Sequence, residues 1–200
     1  MTTTERHDLT DKRRETFDSL LDAARTLLVN EGFDGLSVRG VAAEAGVTHT
    51  TAYSFVTSKS QLIAELYLRE IRRLAPLDLD AEAAAADRVA AALGGPATLF
   101  ADQPAVAHAV QVALMVGDVE PEVRALRERI GAITVARLHA ALPDVDDEVR
   151  DIIFAAFNGA MISAGTGYGT YDDVVVVVRR LVELIGIGGA APAETLRERR

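Results

Sequence analysis

Five side chains with hydrogen-bonding tips fall within six residues of one another: His49, Thr50, Thr51, Tyr53 and Ser54. All are short or planar, so they can reach base edges and phosphate oxygens without ordering a long, flexible side chain. Such contacts require a scaffold that presents these side chains together. Spacing alone leaves two interpretations open: a nucleic-acid contact surface, or the solvated polar face of an ordinary helical hairpin.

The residues around this cluster predict two short helices joined by a tight turn. The first is expected from Ser37 to about Ala45, and Gly46 follows where the helix end requires a left-handed backbone. Thr48 precedes the second helix and can accept a hydrogen bond from a backbone N–H of the next turn. Two helices crossing at such a turn form a helix-turn-helix, whose second helix enters the major groove of DNA.

Two cations flank the polar cluster. Arg39 lies on the first helix, where it either binds phosphate or stays solvated. Lys59 starts the helix after the motif, where Ser58 and Gln61 have the spacing of a capping box. A lysine beside exposed backbone N–H groups at a helix start is suited to phosphate contact.

A long, ordered set of residues runs through this region: Glu31-Gly32-Phe33, Ser37-Val38, Val41-Ala42, Ala45-Gly46-Val47-Thr48, Thr51, Tyr53, Ser58-Lys59 and Leu62. Together they resemble the N-terminal domain of the TetR family of transcriptional regulators, over about Arg13 to Leu66. The chain departs from the family at Thr50, Ala52 and Val56, where glycine, a larger aliphatic residue and an aromatic residue are usual. The resemblance implies that operator DNA is contacted by Arg39, Thr48, His49, Thr50, Thr51, Tyr53, Ser54 and Lys59.

Composition bounds the class of protein. The chain has 200 residues, 49% of them hydrophobic, which suffices for one sizeable core or two small ones. It has no cysteine, so a disulfide framework and a thiolate metal site are excluded. The longest apolar runs fall short of a membrane span, and the first residues lack the apolar core of a signal peptide. We therefore expect a cytoplasmic protein that does not contact a membrane.

The formal net charge of −9 lies mostly after residue 73, whereas the first 73 residues are nearly neutral and their cations are clustered. Lys12, Arg13 and Arg14 lead the first helix, where they are either solvated or part of an arm that touches the DNA backbone. The second interpretation is favoured by the family resemblance. With so few cations per subunit, DNA affinity is expected to depend on two subunits binding together.

These patterns predict an all-α protein with a three-helix DNA-binding domain containing the helix-turn-helix, followed by a larger helical domain for ligand binding and dimerisation. Residues 1–10 are expected as a disordered arm, and residues 11–73 as the DNA-binding domain with its linking helix. After Pro76 the composition becomes alanine-rich and acidic, so the second domain is placed at residues 76–189 and a polar tail at 190–200.

Five helices are expected in the second domain, at residues 81–93 (closed by Gly94-Gly95-Pro96), 105–116, 120–142, 146–164 and 170–186. The last contains five consecutive valines, Val174–Val178, whose propensity favours a strand. The polar residues favour a helix, because Asp172, Asp173, Arg179, Arg180 and Glu183 fall on one helical stripe. Thr170 and Asp173 have capping-box spacing.

The two final helices, at about 146–164 and 170–186, carry more apolar surface than one core needs. They look like the family's dimerisation pair, which forms a four-helix interface across a two-fold axis in a homodimer. The alternative is that both helices are internal core.

Family members typically bind a small molecule among the helices of the second domain, which implies an effector of unknown identity. Candidate pocket residues combine apolar walls with a few polar tips: Phe100, His108, Val112, Met115, Phe154, Asn158, Met161 and Tyr168. His108 and Asn158 are polar residues on apolar helices, where a buried polar group needs a partner. A satisfied core contact is the alternative to a ligand role.

No catalytic, metal or cofactor motif is evident in the sequence. The four histidines are widely separated, and the acidic cluster at residues 144–151 lacks the ligand order of a calcium site. Neither a nucleophile elbow nor a phosphate loop occurs. We therefore expect no enzyme, metal or cofactor. The resemblance implies a ligand-responsive repressor that a small apolar or amphipathic molecule releases from a palindromic operator. An activator, or an all-α carrier or enzyme with an incidental helix-turn-helix, are the alternatives.

Overall fold

The computed structural model describes residues 3–115 and 120–187. Within these residues every element of regular structure is an α-helix, which confirms the predicted fold class. In chain order they are α1 (Thr3–Gly35), α2 (Val38–Glu44), α3 (His49–Tyr53), α4 (Lys59–Arg73), α5 (Ala85–Thr98), α6 (Pro104–Met115), α7 (Pro121–Ala141), α8 (Asp147–Gly165) and α9 (Tyr171–Ile185). None of the helices in the described residues is both long and apolar enough to cross a membrane.

The chain divides into two compact units that interleave along the sequence. The first comprises Met1–Arg72 with Asp102–Ile130, and the second comprises Arg73–Ala101 with Gly131–Arg200. Residues 102–115 and 120–130, which the sequence assigned to the ligand-binding domain, therefore belong to the same unit as α1–α3 and nearly all of α4. The predicted polar tail at 190–200 lies outside the described residues.

Helix α1 begins at Thr3, so residues 3–10 are helical where the sequence predicted a disordered arm. These residues contain no glycine or proline, so nothing in them stops a helix that continues into residue 11. The helix is interrupted at Gly32, whose φ of 69° and ψ of −171° are open to glycine. The predicted end of the first helix at Gly32 is confirmed.

The core of the first unit is built from the apolar stripes that the sequence predicted. Helix α1 packs against α2 and α6, and it buries a face that repeats at helical spacing. The fully buried members of this core include Leu20, Leu21, Ala24, Leu28, Val41, Ala42, Ala52, Leu62, Ile63, Leu66 and Ile71. Burial of one such leucine or isoleucine contributes about 1.5–3 kcal/mol, so this core fixes the helices around α3.

The second unit is centred on α9, which packs against both α5 and α8. Its buried residues include Val89, Leu93, Leu138, Leu142, Ile153, Phe157, Val174, Val178 and Val182. The five-valine run is helical, as predicted, because Val174, Val178 and Val182 recur every four residues on the buried face. The Thr170–Asp173 capping box is present, and Gly186 ends the helix with a φ of 73°.

Helix α5 differs from the prediction. It spans Ala85–Thr98 and continues through Gly94, Gly95 and Pro96, where the sequence predicts its end. Proline has no N–H, so it leaves the carbonyl of Ala92, four residues earlier, without its helical donor. That carbonyl instead accepts a hydrogen bond from Nε of Arg137 at 2.8 Å. A partner distant in sequence thus compensates for the proline, which local rules could not reveal.

Arginines also satisfy the carboxyl end of α7. The side chain of Arg88 donates from Nε to the carbonyl of Ala141 at 2.9 Å, and that of Arg150 donates to the carbonyl of Leu142. The last carbonyls of a helix lack intrahelical donors and carry a partial negative charge. Two guanidinium groups therefore close α7 inside the second unit.

Candidate nucleic-acid interface

The turn between α2 and α3 sets the direction of α3. Gly46 has a φ of 67°, and its N–H donates to the carbonyl of Ala43 at 3.1 Å. The next N–H, from Val47, reaches back to the carbonyl of Ala42 at 2.9 Å. This pair of bonds is a Schellman ending, which satisfies the last carbonyls of α2 and lets the chain leave at a new angle. The predicted left-handed glycine is confirmed.

The first turn of α3 is closed by a threonine cap. The hydroxyl oxygen of Thr48 accepts a hydrogen bond from the N–H of Thr51 at 3.1 Å, as the sequence predicted. The two threonine hydroxyls are also hydrogen-bonded to each other at 2.9 Å, and the Ser54 hydroxyl donates to the carbonyl of Thr51 at 2.7 Å. Thr48, Thr51 and Ser54 therefore use their hydroxyls to hold the short helix together.

The outward face of α3 carries the remaining predicted contact residues. His49, Thr50 and Tyr53 are exposed, whereas Ala52 on the opposite face is fully buried. Arg39 is exposed on α2. Anchoring of Ala52 in the core fixes the rotation of α3, so a histidine, a threonine and a tyrosine point into solvent together.

Lys59, predicted as a phosphate clamp, is engaged within the protein. Its Nζ donates to the carbonyl oxygen of Phe33 at 3.0 Å and lies 3.9 Å from the centroid of the Phe33 ring. A carbonyl bond and a cation–π contact together bind the start of α4 to the end of α1. Lys59 therefore positions α1 and α4, the helices before and after the helix-turn-helix motif.

The cap of α4 is displaced by one residue from the predicted capping box. The N–H of Gln61 donates to the Ser58 hydroxyl at 3.0 Å, as expected. The side-chain oxygen of Gln61 (Oε1), however, accepts from the N–H of Thr57 at 2.8 Å instead of that of Ser58. The Ser58 hydroxyl in turn donates to a carboxylate oxygen of Glu120, just before α7. This contact joins the start of α4 to residues 102–130 within the first unit.

The three cations Lys12, Arg13 and Arg14 lie in the first half of α1 and have different surroundings. Lys12 is exposed, and Arg14 pairs with Asp11 at 3.0 Å along the same helix. Arg13 instead reaches α3, where it donates from a terminal guanidinium nitrogen to the carbonyl of Ser54 at 3.3 Å. Sequence spacing could not separate these neighbours, because the Arg13 contact spans 41 residues.

An arginine on α4 holds that helix against α1. Arg69 donates to the backbone carbonyl of Asp18 at 3.1 Å, to the Asp22 carboxylate at 2.7 Å and to the Glu70 carboxylate at 2.8 Å. Burial disfavours the charged guanidinium, but the hydrogen bond and charge of Asp22, together with Glu70, outweigh it, so the pKa of Arg69 is raised. The sequence does not reveal this role, because its only sign there is an arginine among the apolar residues of α4.

Three of the predicted pocket residues belong to α6 in the first unit. His108 and Met115 are exposed there, and Val112 is half-buried. Because His108 lies in solvent in the single chain, it does not need the buried partner that the sequence analysis expected.

The other five predicted pocket residues belong to the second unit. Phe100 is buried, and Phe154 and Met161 pack at the edge of the core. Asn158 is exposed, and its amide donates to the carbonyl of Phe154 one turn earlier at 3.0 Å. Tyr168 is 91% exposed and lines an open cleft of about 460 Å³ beside the start of α9. The eight candidates therefore do not form one continuous lining within either unit.

Residues 20–66 match a family model described as bacterial regulatory proteins, tetR family. An uncharacterized HTH-type transcriptional regulator of Mycobacterium bovis is 36% identical over 183 residues, which cover 91% of this chain and 85% of the relative. A regulator with the same description in Mycobacterium tuberculosis matches to the same extent. The segment that the family model matches, residues 20–66, includes the turn, α3 and the first half of α4.

Solved structures show the same architecture. A TetR transcriptional regulator from Rhodococcus sp. RHA1 has a TM-score of 0.71 at 18% identity and covers 90% of this chain and 100% of its own. Another transcriptional regulator from the same organism has a TM-score of 0.64 at 19% identity, with 86% and 96% covered. At these identities the likeness establishes the fold.

Proposed function

Because the chain belongs to the tetR family of bacterial regulatory proteins and is a transcriptional regulator of the helix-turn-helix type, we propose that it acts as a repressor. In this proposal two subunits bind a palindromic operator, and a small apolar or amphipathic molecule releases them. The protein acts through binding and catalyses no reaction. Its site of action is the chromosome, and hence the cytoplasm.

The outward face of α3 carries this proposal. His49, Thr50 and Tyr53 project from a helix that is locked in rotation by buried Ala52 and capped by Thr48. Polar side chains on one face of such a helix are suited to base edges in the major groove. Arg39 on α2 is exposed and supplies a further group for phosphate contact.

Exposed apolar residues on the last two helices support the homodimer. On α8 the outward stripe consists of Ile152, Ala155, Gly159 and Ile162, and on α9 the exposed apolar residues are Val176, Val177, Leu184 and Ile185. Such a surface is unfavourable in water, and patches of this kind mark interaction sites. The small residues at the centre of the α8 stripe permit close approach of a second α8. We propose that α8 and α9 form a four-helix interface with the same helices of a second subunit.

The effector is proposed to bind in the second unit. Phe154 and Phe157 stack with ring centroids 6.5 Å apart, and Met161 lies one turn further along the same helix. These residues supply apolar surface, and Asn158 between them supplies a polar tip, the combination that small-molecule sites use. An effector that binds one arrangement of the dimer better than the other shifts the population between them.

Binding to DNA from immediately upstream of the gene for this protein tests the proposal. Fluorescence anisotropy with purified protein, over a salt series near physiological strength, should show selective binding with two subunits per site. Random-sequence duplex of the same length is the control, because phosphate contacts bind it equally well.

A reporter gene placed behind the bound fragment tests the direction of regulation. Lower expression in the presence of the protein is the result expected of a repressor. Higher expression would show that the protein is an activator and not a repressor. Equal affinity for the upstream and random duplexes, at every salt concentration, would count against an operator at that place.

A further inference from the structure

Arg13 is held against the recognition helix by a stack of two aromatic rings. Its guanidinium lies 4.5 Å from the centroid of the Phe55 ring. That ring stacks on Phe17 of α1, with centroids 5.3 Å apart and an angle of 11° between the planes. The next residue, Val56, is 1% exposed and fills the core, so Phe55 is left half-buried at the surface. The rings thus form a platform between α1 and the end of α3.

A second contact, with the carboxyl end of α3, also holds this guanidinium in place. Arg13 donates to the carbonyl of Ser54, the residue that caps α3. A cation is favoured at this end of a helix, where the last carbonyls carry a partial negative charge. This bond uses one of the five N–H donors of a guanidinium, and the side chain remains exposed.

The length of α3 indicates where Arg13 would lie if α3 entered the major groove. Five residues span about 7.5 Å of helix axis, less than the roughly 12 Å width of the groove. A group beyond the end of α3 therefore lies near the sugar-phosphate backbone when the outward face of α3 meets the bases. Stacked guanidinium groups are well suited to bidentate phosphate contact, because their donors are already oriented.

We propose that Arg13 is a preorganised phosphate-binding residue of the operator complex and that Phe55 is the residue that positions it. The proposal rests on the DNA-binding function above. It gives Arg13 a role that Arg14 does not share. Arg14 has the same charge one residue further along, but it pairs with Asp11 at 3.0 Å. It also gives Phe55 an indirect effect on DNA binding, through the position of Arg13.

The salt dependence of DNA binding distinguishes a phosphate contact from other roles. Arg13→Ala should weaken binding roughly tenfold and reduce the magnitude of the slope of log affinity against log salt by about one per subunit. Because phosphates carry no sequence information, operator and random duplex should be affected by the same factor. Arg14→Ala is the matched control and should leave the slope unchanged.

Two further variants separate charge from positioning. Arg13→Lys keeps the charge but loses the planar fork, so it should retain the slope with intermediate affinity. Phe55→Leu keeps every charge and removes the platform. It should weaken binding a few-fold without changing the slope, because the arginine must then be ordered on binding. Circular dichroism melting identifies any variant that fails to fold.

An unchanged slope for Arg13→Ala, or an equal loss for Arg14→Ala, overturns the assignment of Arg13 while wild-type operator binding still supports the proposed function. Tight binding by Phe55→Leu overturns its positioning role. If the wild-type protein binds the upstream duplex no better than random DNA, the slopes on random duplex at low salt still decide the assignment. If it binds no duplex at any salt, both proposals fail.

Discussion

The guanidinium of Arg137 donates from Nε to the carbonyl oxygen of Ala92 at 2.8 Å, the carbonyl to which Pro96 offers no helical donor. The arginine lies on α7 and the proline inside α5. Partial burial of the guanidinium lowers the pKa of Arg137. The helix therefore tolerates its proline because an arginine 45 residues from the freed carbonyl supplies the missing hydrogen bond.

Arg137→Met should destabilise the protein because it leaves the Ala92 carbonyl without this donor. A lost hydrogen bond at a buried group costs about 1–3 kcal/mol. Pro96→Ala restores the helical N–H. In the Pro96→Ala protein, Arg137→Met should therefore lower the unfolding free energy by less than it does in the wild type. Urea unfolding of the four proteins in a double-mutant cycle measures the difference. Arg14→Met, on an exposed pair, is the control, and equal costs in both backgrounds would refute the coupling.

Lys59→Met should destabilise the first unit and weaken DNA binding. The change removes the ammonium that contacts the carbonyl and ring of Phe33 but keeps most of the aliphatic stem. We expect a loss of about 1–2 kcal/mol in unfolding free energy. We also expect an unchanged salt slope for DNA binding, because Lys59 acts through α1 and α4. A slope reduced by about one per subunit would instead establish the direct phosphate contact that the sequence predicted.

Tyr53→Ala should weaken operator binding while the dimer persists. The side chain is 50% exposed on the outward face of α3, so its removal should change the unfolding free energy by less than about 0.5 kcal/mol. Loss of a base-edge contact should lower operator affinity by roughly 1–3 kcal/mol. Tyr168→Ala, the same change at an exposed tyrosine of the second unit, is the control. Undiminished affinity for the operator would remove Tyr53 from the interface.

Gly159→Arg should convert the dimer to a monomer and abolish tight operator binding. Nothing lies within 4 Å of a Cβ built at Gly159, so the single chain can accept the side chain. In the proposed interface the arginine would meet the partner's α8 and place a charge in an apolar contact. Sedimentation velocity measures the change. Ala140→Arg, at an exposed alanine of α7, should leave the dimer intact. A dimeric Gly159→Arg protein would exclude the α8 stripe from the interface.

Glu65→Gln should be more stable than the wild type at neutral pH. Burial raises the pKa of Glu65 above its ordinary value of 4.5, and Arg129 and Arg72 only partly oppose this shift. When the pKa of a carboxyl is higher in the folded state than in the unfolded state, the fold is most stable, with respect to that group, at pH values below the unfolded-state pKa. This stability is lost as the pH rises through the folded-state pKa. The advantage of glutamine should therefore shrink as the pH falls toward 4.5. Thermal melts between pH 4 and 8 measure it; a constant difference would contradict this account.

The sequence by itself determined the features whose causes lie within a few residues. The left-handed turn at Gly46, the cap at Thr48 and the capping box at Thr170 all follow from local backbone chemistry. The helical form of the five valines was predictable from the stripe of charges around them. The family was also predictable, because its motif residues lie in one continuous stretch of sequence, and the family in turn implies the all-α class.

Only the tertiary structure decided the roles of side chains whose partners are distant in sequence. Lys59 contacts a carbonyl 26 residues away, and Arg13 one 41 residues away, so their neighbours in sequence carried no sign of these contacts. Exposure of His108 and Asn158 was equally unpredictable, since it depends on which face of each helix the core selects. Hydrogen bonds within a turn obey local geometry, whereas long side chains bind whichever unsatisfied group the packing of the helices brings within reach.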